Sequence, residues 1–139
     1  MTAYVLDASA VLRFADREAG WERVREVLRQ CVCGEAEGMI SAVQWGEIAG
    51  NLRKRFGAAE EARLLALLLP EEVAIVPVSA ERAVRAADCK VEYGIGYADA
   101  FALALAAESS DRILVTADFG FKNAAGAARI EFLPAKSGR

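Results

Sequence analysis

The chain alternates between short apolar segments and longer amphipathic ones, and this alternation restricts the fold more than any other feature of the sequence. Short apolar runs bounded by polar residues predict buried strands at residues 3–6, 38–41, 112–116 and 128–132. A further run at residues 73–78 is interrupted by a proline, which predicts a strand at or near an edge of the sheet. Strands that alternate with helical segments favour an α/β fold, in which helices cover both faces of a parallel sheet.

Length and composition fit one compact domain. At 139 residues, 55% of them hydrophobic, the chain can bury a core without disulfides, and we expect a single domain over residues 1–139. Residues 134–139 are expected to form a loose tail. The apolar runs are shorter than the ~20 residues that span a bilayer, so no membrane association is expected. The three cysteines have neither zinc nor thioredoxin spacing, which favours reduced thiols and a cytoplasmic location.

Two neighbouring helices carry specific packing expectations. The helix predicted at residues 98–108 is apolar at every position from 100 to 107, and a helix that is apolar all round is buried. The helix before it is expected to face inward through Ala83, Val84 and Ala87.

The chain contains no histidine, which removes Ser-His-Asp and Cys-His catalysis and every zinc site that uses imidazole. Any catalysis must therefore use carboxylates, hydroxyls, lysine or arginine. The net charge of −3 argues weakly against binding of nucleic acid. That argument loses its force if several of the acids are metal ligands.

Three aspartates occupy positions where an open α/β sheet keeps its ligand sites, beyond the carboxyl ends of the strands. Asp7 ends the first strand, and Asp118 follows the strand at residues 112–116. Asp99 lies in the first turn of the apolar helix, where a charge has to be paired, to cap the helix or to bind a metal. Capping of the following helix is the alternative for each of the three.

Glu47 is a fourth candidate. It is predicted to lie opposite the apolar stripe of its helix, between Gly46 and Gly50. Two glycines in a helix lower its stability by about 1 kcal/mol each relative to alanine, which suggests that backbone or substrate comes close. The alternative is an ordinary solvated glutamate.

Four segments that contain these acids resemble a known family. They read VLDASAVL at residues 5–12, ISAVQWGEI at 40–48, YADAFALALA at 97–106 and LVTADFGF at 114–121. In this order they resemble the four acidic blocks of PIN-domain ribonucleases, and within that family they are most similar to VapC-type toxins of toxin–antitoxin pairs. The resemblance implies a three-layer α/β/α fold with a central parallel sheet of about five strands.

The resemblance also implies a site and an activity. The site is an acidic pocket for Mg²⁺ or Mn²⁺ with hydroxyl groups in support, and the residues that match are Asp7, Glu47, Asp99 and Asp118, with Thr116 and Ser9. The implied activity is endonucleolytic hydrolysis of RNA by a metal-activated water. A VapB-like antitoxin and a second copy in a homodimer are the implied partners. The loop directly after Phe121, residues 122–126, carries no further acid, where some relatives have one, so the completeness of a second metal site stays open.

Contacts to RNA are expected from basic residues that follow or flank the acidic blocks. These candidates are Arg13, Arg17, Arg53, Lys54, Arg55 and Lys122. The alternative is that they are solvated charges at helix ends. Trp21 and Trp45 are candidates for stacking on bases, although their helical positions favour packing in the core or in a dimer.

Two other functions stay open from the residues alone. An aspartate after a first strand also serves phosphoryl-transfer domains as nucleophile or phosphoacceptor. Ser9 stands where one such class has a second acid, and the paired acids of a receiver domain have no counterpart. A PIN-like scaffold that binds RNA or protein without cutting is the third possibility, although clustered carboxylates that repel one another would serve it no purpose.

Overall fold

The computed structural model describes residues 1–136 and shows a parallel sheet with helices on both faces. The elements in chain order are β1 (Ala3–Leu6), α1 (Ala8–Asp16), α2 (Trp21–Val32), β2 (Glu37–Ser41), α3 (Ala42–Phe56), α4 (Ala58–Leu68), β3 (Val73–Val76), α5 (Ala80–Tyr93), α6 (Tyr97–Ala107), β4 (Arg112–Thr116), a 3₁₀ helix (Phe119–Ala124) and β5 (Arg129–Phe132). The strand order is β3-β2-β1-β4-β5, and each neighbouring pair is parallel. The expected α/β/α architecture is confirmed.

Strand β1 lies in the middle of the sheet, and its side chains alternate between two hydrophobic cores. Tyr4 and Leu6 pack with residues of α1, α2 and α3, whereas Ala3 and Val5 pack against α6. All of β1 is buried. A strand covered on both faces has no polar side, which explains why its sequence is a continuous apolar run instead of an alternating one.

Helix α6 is buried as expected, and α5 packs on it with a different face from the predicted one. Residues 100–106 of α6 are all buried. On α5, Ala86 is fully buried and Ala83 packs beside it, whereas Val84 is 61% exposed and Ala87 is also exposed. The prediction was wrong for Val84 and Ala87 because alanines on several faces of this helix leave its apolar periodicity ambiguous.

The edge-strand prediction is confirmed, since β3 is the first strand of the sheet and ends at Val76, directly before Pro77. Proline lacks the N–H that would continue the ladder. Helix α1 begins at Ala8, because Asp7 still has an extended backbone and occupies the N-cap position.

The described part of the segment after β5 makes contacts with the body of the protein. Arg13 Nη1 donates to the carbonyl of Pro134 at 2.8 Å, and Lys136 pairs with Glu18 at 2.6 Å. The rest of the predicted tail, residues 137–139, lies outside the described residues. Within residues 1–136, no helix has the length and apolar character needed to cross a membrane.

Candidate active site

The parallel pairing of β1 with β4 brings two acidic segments to the same edge of the sheet. Leu6 lies opposite Val115, and the N–H of Asp7 donates to the carbonyl of Val115 at 3.0 Å. The ladder therefore continues for one residue beyond β1, which places the side chain of Asp7 beside Thr116. Asp118 follows two residues later, so both acids lie at the carboxyl edge of the central strands.

Two hydroxyl groups fix the carboxylate of Asp7. Thr116 Oγ1 donates to Oδ2 of Asp7 at 2.8 Å, and Ser9 Oγ donates to the same oxygen. Each hydroxyl oxygen in turn accepts a backbone N–H, from Asp118 at 3.0 Å for Thr116 and from Ala117 at 2.9 Å for Ser9. Because an ionised carboxylate can only accept hydrogen bonds, both hydroxyls act as donors to Asp7 while each accepts one backbone N–H.

The other oxygen of Asp7, Oδ1, is buried and accepts no hydrogen bond from the described residues. The side chain is only 2% exposed. Burial raises the pKa of Asp7 above its ordinary value; the hydrogen bonds from Ser9 and Thr116 oppose this rise, and the charges of Asp118 and Glu47 add to it. A buried carboxylate oxygen without a donor is costly, and a cation is the partner that would remove this cost.

Asp99 belongs to the same electrostatic cluster. It lies in the first turn of α6, whose N-cap residue is Gly96, so the capping alternative does not hold for Asp99. Burial, followed by the charges of Asp7 and Asp118, raises the pKa of Asp99 to about 6. A carboxyl group with such a pKa would be ionised more readily by a bound cation.

Asp118 caps a helix with its side chain, whereas Asp7 does not. Oδ1 of Asp118 accepts the N–H of Gly120 at 2.8 Å, so this residue does cap the 3₁₀ helix. Asp7 stands at the N-cap position of α1, but its side chain makes no capping hydrogen bond there. Capping therefore accounts for one oxygen of Asp118 and does not account for Asp7.

Glu47 lies at the solvent-exposed rim of the cluster, on α3. Partial burial, followed by the charge of Asp99, raises the pKa of Glu47. A methyl group added at Gly46 or Gly50 would have nothing within 4 Å among the described residues. Of the two expectations at these glycines, the close approach of backbone is wrong; the space beside Glu47 is open to solvent, and the approach of a substrate stays a prediction.

These residues fit a hydrated divalent cation. Carboxylate and hydroxyl oxygens are hard ligands of the kind that Mg²⁺ and Mn²⁺ prefer. Among residues 1–136, no three acidic or thiol side chains converge closely enough to hold one ion as they stand. Mg²⁺ usually keeps several waters and binds through one or two carboxylates, so this separation is compatible with binding. The free oxygen of Asp7 and the raised pKa values of its neighbours indicate where such a cation would lie.

Gln44 is a site residue that the sequence interpretation missed. Its side chain is fully buried; Oε1 accepts the N–H of Ala8 at 2.7 Å and Nε2 donates to the carbonyl of Ala98 at 2.7 Å. The amide thereby joins the start of α1 to the start of α6, next to Asp7 and Asp99. A polar residue four positions before the buried Ile48 was the signal that could have identified it.

Arg13 lies in the interior, which contradicts its predicted contact with RNA. It is 7% exposed, and Nη1 donates to the carbonyls of Ala19 at 2.6 Å and Pro134 at 2.8 Å. The guanidinium therefore stabilises the turn after α1 and the segment after β5, so Nη1 is engaged by two backbone carbonyls, although Arg13 also borders the groove beside the acids.

The other basic candidates lie at the surface in different settings. Arg55 forms a two-pronged ion pair with Asp16 at 2.9 and 3.0 Å, and Arg53 lies 3.6 Å from Glu61. Lys122 Nζ lies 5.0 Å from the ring centroid of Phe119. Arg17 and Lys54 are exposed.

An open groove of about 770 Å³ extends from the acidic cluster along α1. Its lining includes Ser9 and Asp118 at one end and Asp16, Arg55 and Lys136 at the other. The groove thus connects the carboxylates with three basic side chains, those of Arg13, Arg55 and Lys136. A chain-like ligand could lie along it with one part at the acids.

This geometry defines a class of protein: a parallel α/β domain with a carboxylate cluster at the carboxyl edge of its central strands. The PIN domain model matches residues 4–127, so the protein belongs to the PIN domain family. No curated protein sequence matches the chain.

Solved structures with the same fold come from several bacteria. VapBC2 from Rickettsia felis, bound to a promoter DNA fragment, matches with a TM-score of 0.71 at 17% identity, covering 96% of this chain and 100% of that one. VapC20 from Mycobacterium tuberculosis, described as a Sarcin-Ricin loop cleaving toxin, matches with a TM-score of 0.69 at 21% identity, covering 94% and 99%. DNA-bound VapBC from Salmonella typhimurium matches with a TM-score of 0.69 at 15% identity, covering 95% and 98%.

Proposed function

We propose that this protein is a metal-dependent endoribonuclease toxin of the VapC type, which hydrolyses phosphodiester bonds of RNA and is neutralised by a VapB-like antitoxin. The observation that carries the proposal is the buried Asp7, held by two hydroxyl donors on one oxygen and without a donor on the other. It lies within a PIN fold and among three further acids. The fold shared with VapC20, a loop-cleaving toxin, supports the choice of RNA.

Each acid has a distinct part in the proposed reaction. Asp7, oriented by Ser9 and Thr116, would hold Mg²⁺ or Mn²⁺ through Oδ1, and Asp99 and Asp118 would complete the carboxylate side of the site. The bound ion would supply water activation and neutralise charge at the scissile phosphate. Glu47 lies at the open rim with a raised pKa, which suits a group that accepts a proton from the attacking water.

The partners are part of the same proposal. Structures of the same fold contain VapBC complexes, which supports an antitoxin as the inhibitor. We propose that this antitoxin covers the groove beside the acids and that the toxin acts as a homodimer in the cytoplasm. Besides Arg17, the exposed Arg53, Lys54, Arg55 and Lys122 are the proposed contacts to RNA.

The test is cleavage of a panel of single-stranded and looped RNAs by purified protein, freed of antitoxin, in Mn²⁺ or Mg²⁺. The arms are EDTA, Asp7→Asn and a matched control, Asp88→Asn, which changes an exposed aspartate on α5. Cleavage is expected to need the ion and Asp7, and to persist in the control.

Two results would overturn the proposal. Cleavage by Asp7→Asn at the wild-type rate would remove the acidic cluster from the reaction. A folded wild-type protein that cuts no RNA and is not stabilised by Mn²⁺ would indicate a binding scaffold instead of a nuclease.

A further inference from the structure

A tryptophan at the start of α2 lies between two arginines. Arg17 precedes Trp21 by four residues and Arg25 follows it by four, and their guanidinium carbons lie 5.0 and 4.7 Å from the centroid of the indole ring. Cation–π contacts of this kind restrict long side chains that otherwise sample many rotamers. The contacts of this group, the Arg17–Trp21–Arg25 cluster, therefore reduce the number of rotamers that both arginines sample before any ligand binds.

Both arginines of the cluster are exposed, and neither forms an ion pair with a carboxylate of the described residues. Other arginines of α2 behave differently: Arg23 pairs with Glu131 at 2.7 Å and Arg29 with Glu26 at 2.8 Å. The cluster thus presents two uncompensated charges in a restricted set of positions. Guanidinium groups with free N–H donors are well suited to bind phosphate oxygens.

The backbone of Arg17 is strained. Its φ angle is 51°, and within residues 1–136 it is the only residue other than glycine with a positive φ. The position ends α1, where glycine is favoured because it has no Cβ. An arginine kept there at a conformational cost suggests that its side chain has a task beyond the turn. The buried Arg13 holds the same turn through the carbonyl of Ala19, so the strained segment is rigid.

The cluster lies about one helix length from the acidic pocket. Helix α1 begins next to Asp7 and ends next to Arg17, and its 9 residues correspond to about 14 Å. At the ~3.4 Å per nucleotide of a stacked strand, about four nucleotides on one side of the cleavage point span this distance. A long RNA strand that occupies the pocket can therefore contact the cluster, whereas a stacked tetranucleotide centred on the cleavage point does not extend to it.

We propose that the Arg17–Trp21–Arg25 cluster is an RNA-contact site outside the catalytic pocket, which binds the phosphodiester backbone of the strand leading away from the point of cleavage. The inference rests on the proposed ribonuclease function. Trp21 supports the two arginines and does not stack on a base, because the guanidinium groups cover its ring.

The test measures binding of fluorescent single-stranded RNAs of 20 and 4 nucleotides to Asp7→Asn protein, which keeps the strand intact. The double variant Arg17→Gln/Arg25→Gln is compared with Arg29→Gln/Arg63→Gln, which removes two exposed arginines that are already paired with glutamates. Loss of the cluster is expected to weaken binding of the longer RNA about tenfold and to shrink its advantage over the shorter one. The slope of log affinity against log salt is expected to fall by about 1.4, since each phosphate contact on a single strand contributes about 0.7.

The inference is overturned if the cluster variant binds the longer RNA as tightly as its parent, or if the control variant loses as much affinity. It is also overturned if the cluster variant loses binding to an antitoxin but not to RNA. The two proposals fail separately. If the wild type cuts no RNA but the cluster variant still loses RNA binding, only the nuclease proposal is refuted. If the wild type cuts RNA but the cluster variant binds RNA as well as its parent, only the contact site is refuted.

Discussion

Replacing Asp99 by asparagine is expected to stabilise the metal-free protein at neutral pH. The pKa of Asp99 is raised from 3.8 to about 6, chiefly by burial and then by the charges of Asp7 and Asp118. A shift of about two units corresponds to about 3 kcal/mol at 1.36 kcal/mol per unit. Because the side chain is only partly buried, solvent screening reduces the expected gain to about 1–2 kcal/mol.

The sign of the pH dependence follows from the direction of this shift. The folded protein holds the Asp99 proton more tightly than the unfolded chain, so the wild type loses stability as pH rises from about 4 to about 6. Asparagine carries no charge and does not undergo this loss. The stability difference between variant and wild type is therefore expected to be near zero at pH 4 and to reach its full size by pH 7.

Urea unfolding in EDTA, followed by circular dichroism from pH 4 to pH 8, measures this difference directly. Asp88→Asn is the matched control and is expected to show no such pH-dependent gain. Added Mn²⁺ is expected to stabilise the wild type and to stabilise Asp99→Asn less, because the variant lacks one charged ligand. An Asp99→Asn protein that is no more stable than the wild type at pH 7.5, or equally changed at pH 4 and pH 7.5, would refute the conclusion that burial and the neighbouring charges disfavour the ionised form of Asp99.

Three other substitutions test separate parts of the structure. Thr116→Val removes a buried donor to Asp7 and leaves the N–H of Asp118 without its acceptor, so the unfolding free energy is expected to fall by about 1–3 kcal/mol and the cleavage rate to fall with it. If both values are unchanged, the Thr116 hydroxyl does not orient Asp7. Gln44→Ala leaves the N–H of Ala8 and the carbonyl of Ala98 unpaired, and thermal unfolding is expected to show a loss of about 2–4 kcal/mol. The control Gln30→Ala changes a half-buried glutamine whose amide makes only a long contact with Glu26, and no comparable loss is expected. Arg17→Gly relieves the strain of the left-handed backbone, so the unfolding free energy is expected to rise by about 0.5–1 kcal/mol, while the affinity for long RNA is expected to fall. A destabilised variant would show that the positive φ at this position carries no strain.

The positions of Asp7 and Asp118 could be predicted because the parallel topology alone places them. Each follows a strand, and parallel strands end at a common edge, so adjacency of β1 and β4 was sufficient to bring the two acids together. Asp99 could be identified because a charged residue in the first turn of a wholly apolar, buried helix requires an ion pair, a capping role or a bound metal.

Other features depended on tertiary contacts that a single sequence does not reveal. The bridging role of Gln44 requires the starts of α1 and α6 to meet, which no local pattern encodes. Arg13 was predicted to be a surface charge because arginines at the end of a helix usually are, whereas here two backbone carbonyls from distant segments satisfy it. The burial of α5 was misjudged because alanine is tolerated equally inside and outside.

The pairing of the first strand with the fourth has a consequence for synthesis of the protein on the ribosome. The hydrogen bond from Thr116 to Asp7 joins residues 109 positions apart, and β5 must still be made to cover the outer side of β4. A nascent chain therefore carries Asp7 without its Thr116 donor until β4 has been made. Contacts of such high sequence separation form late. The carboxylate cluster is thus expected to assemble only after β4 and Asp118 have emerged, so that chains ending before them would be inert.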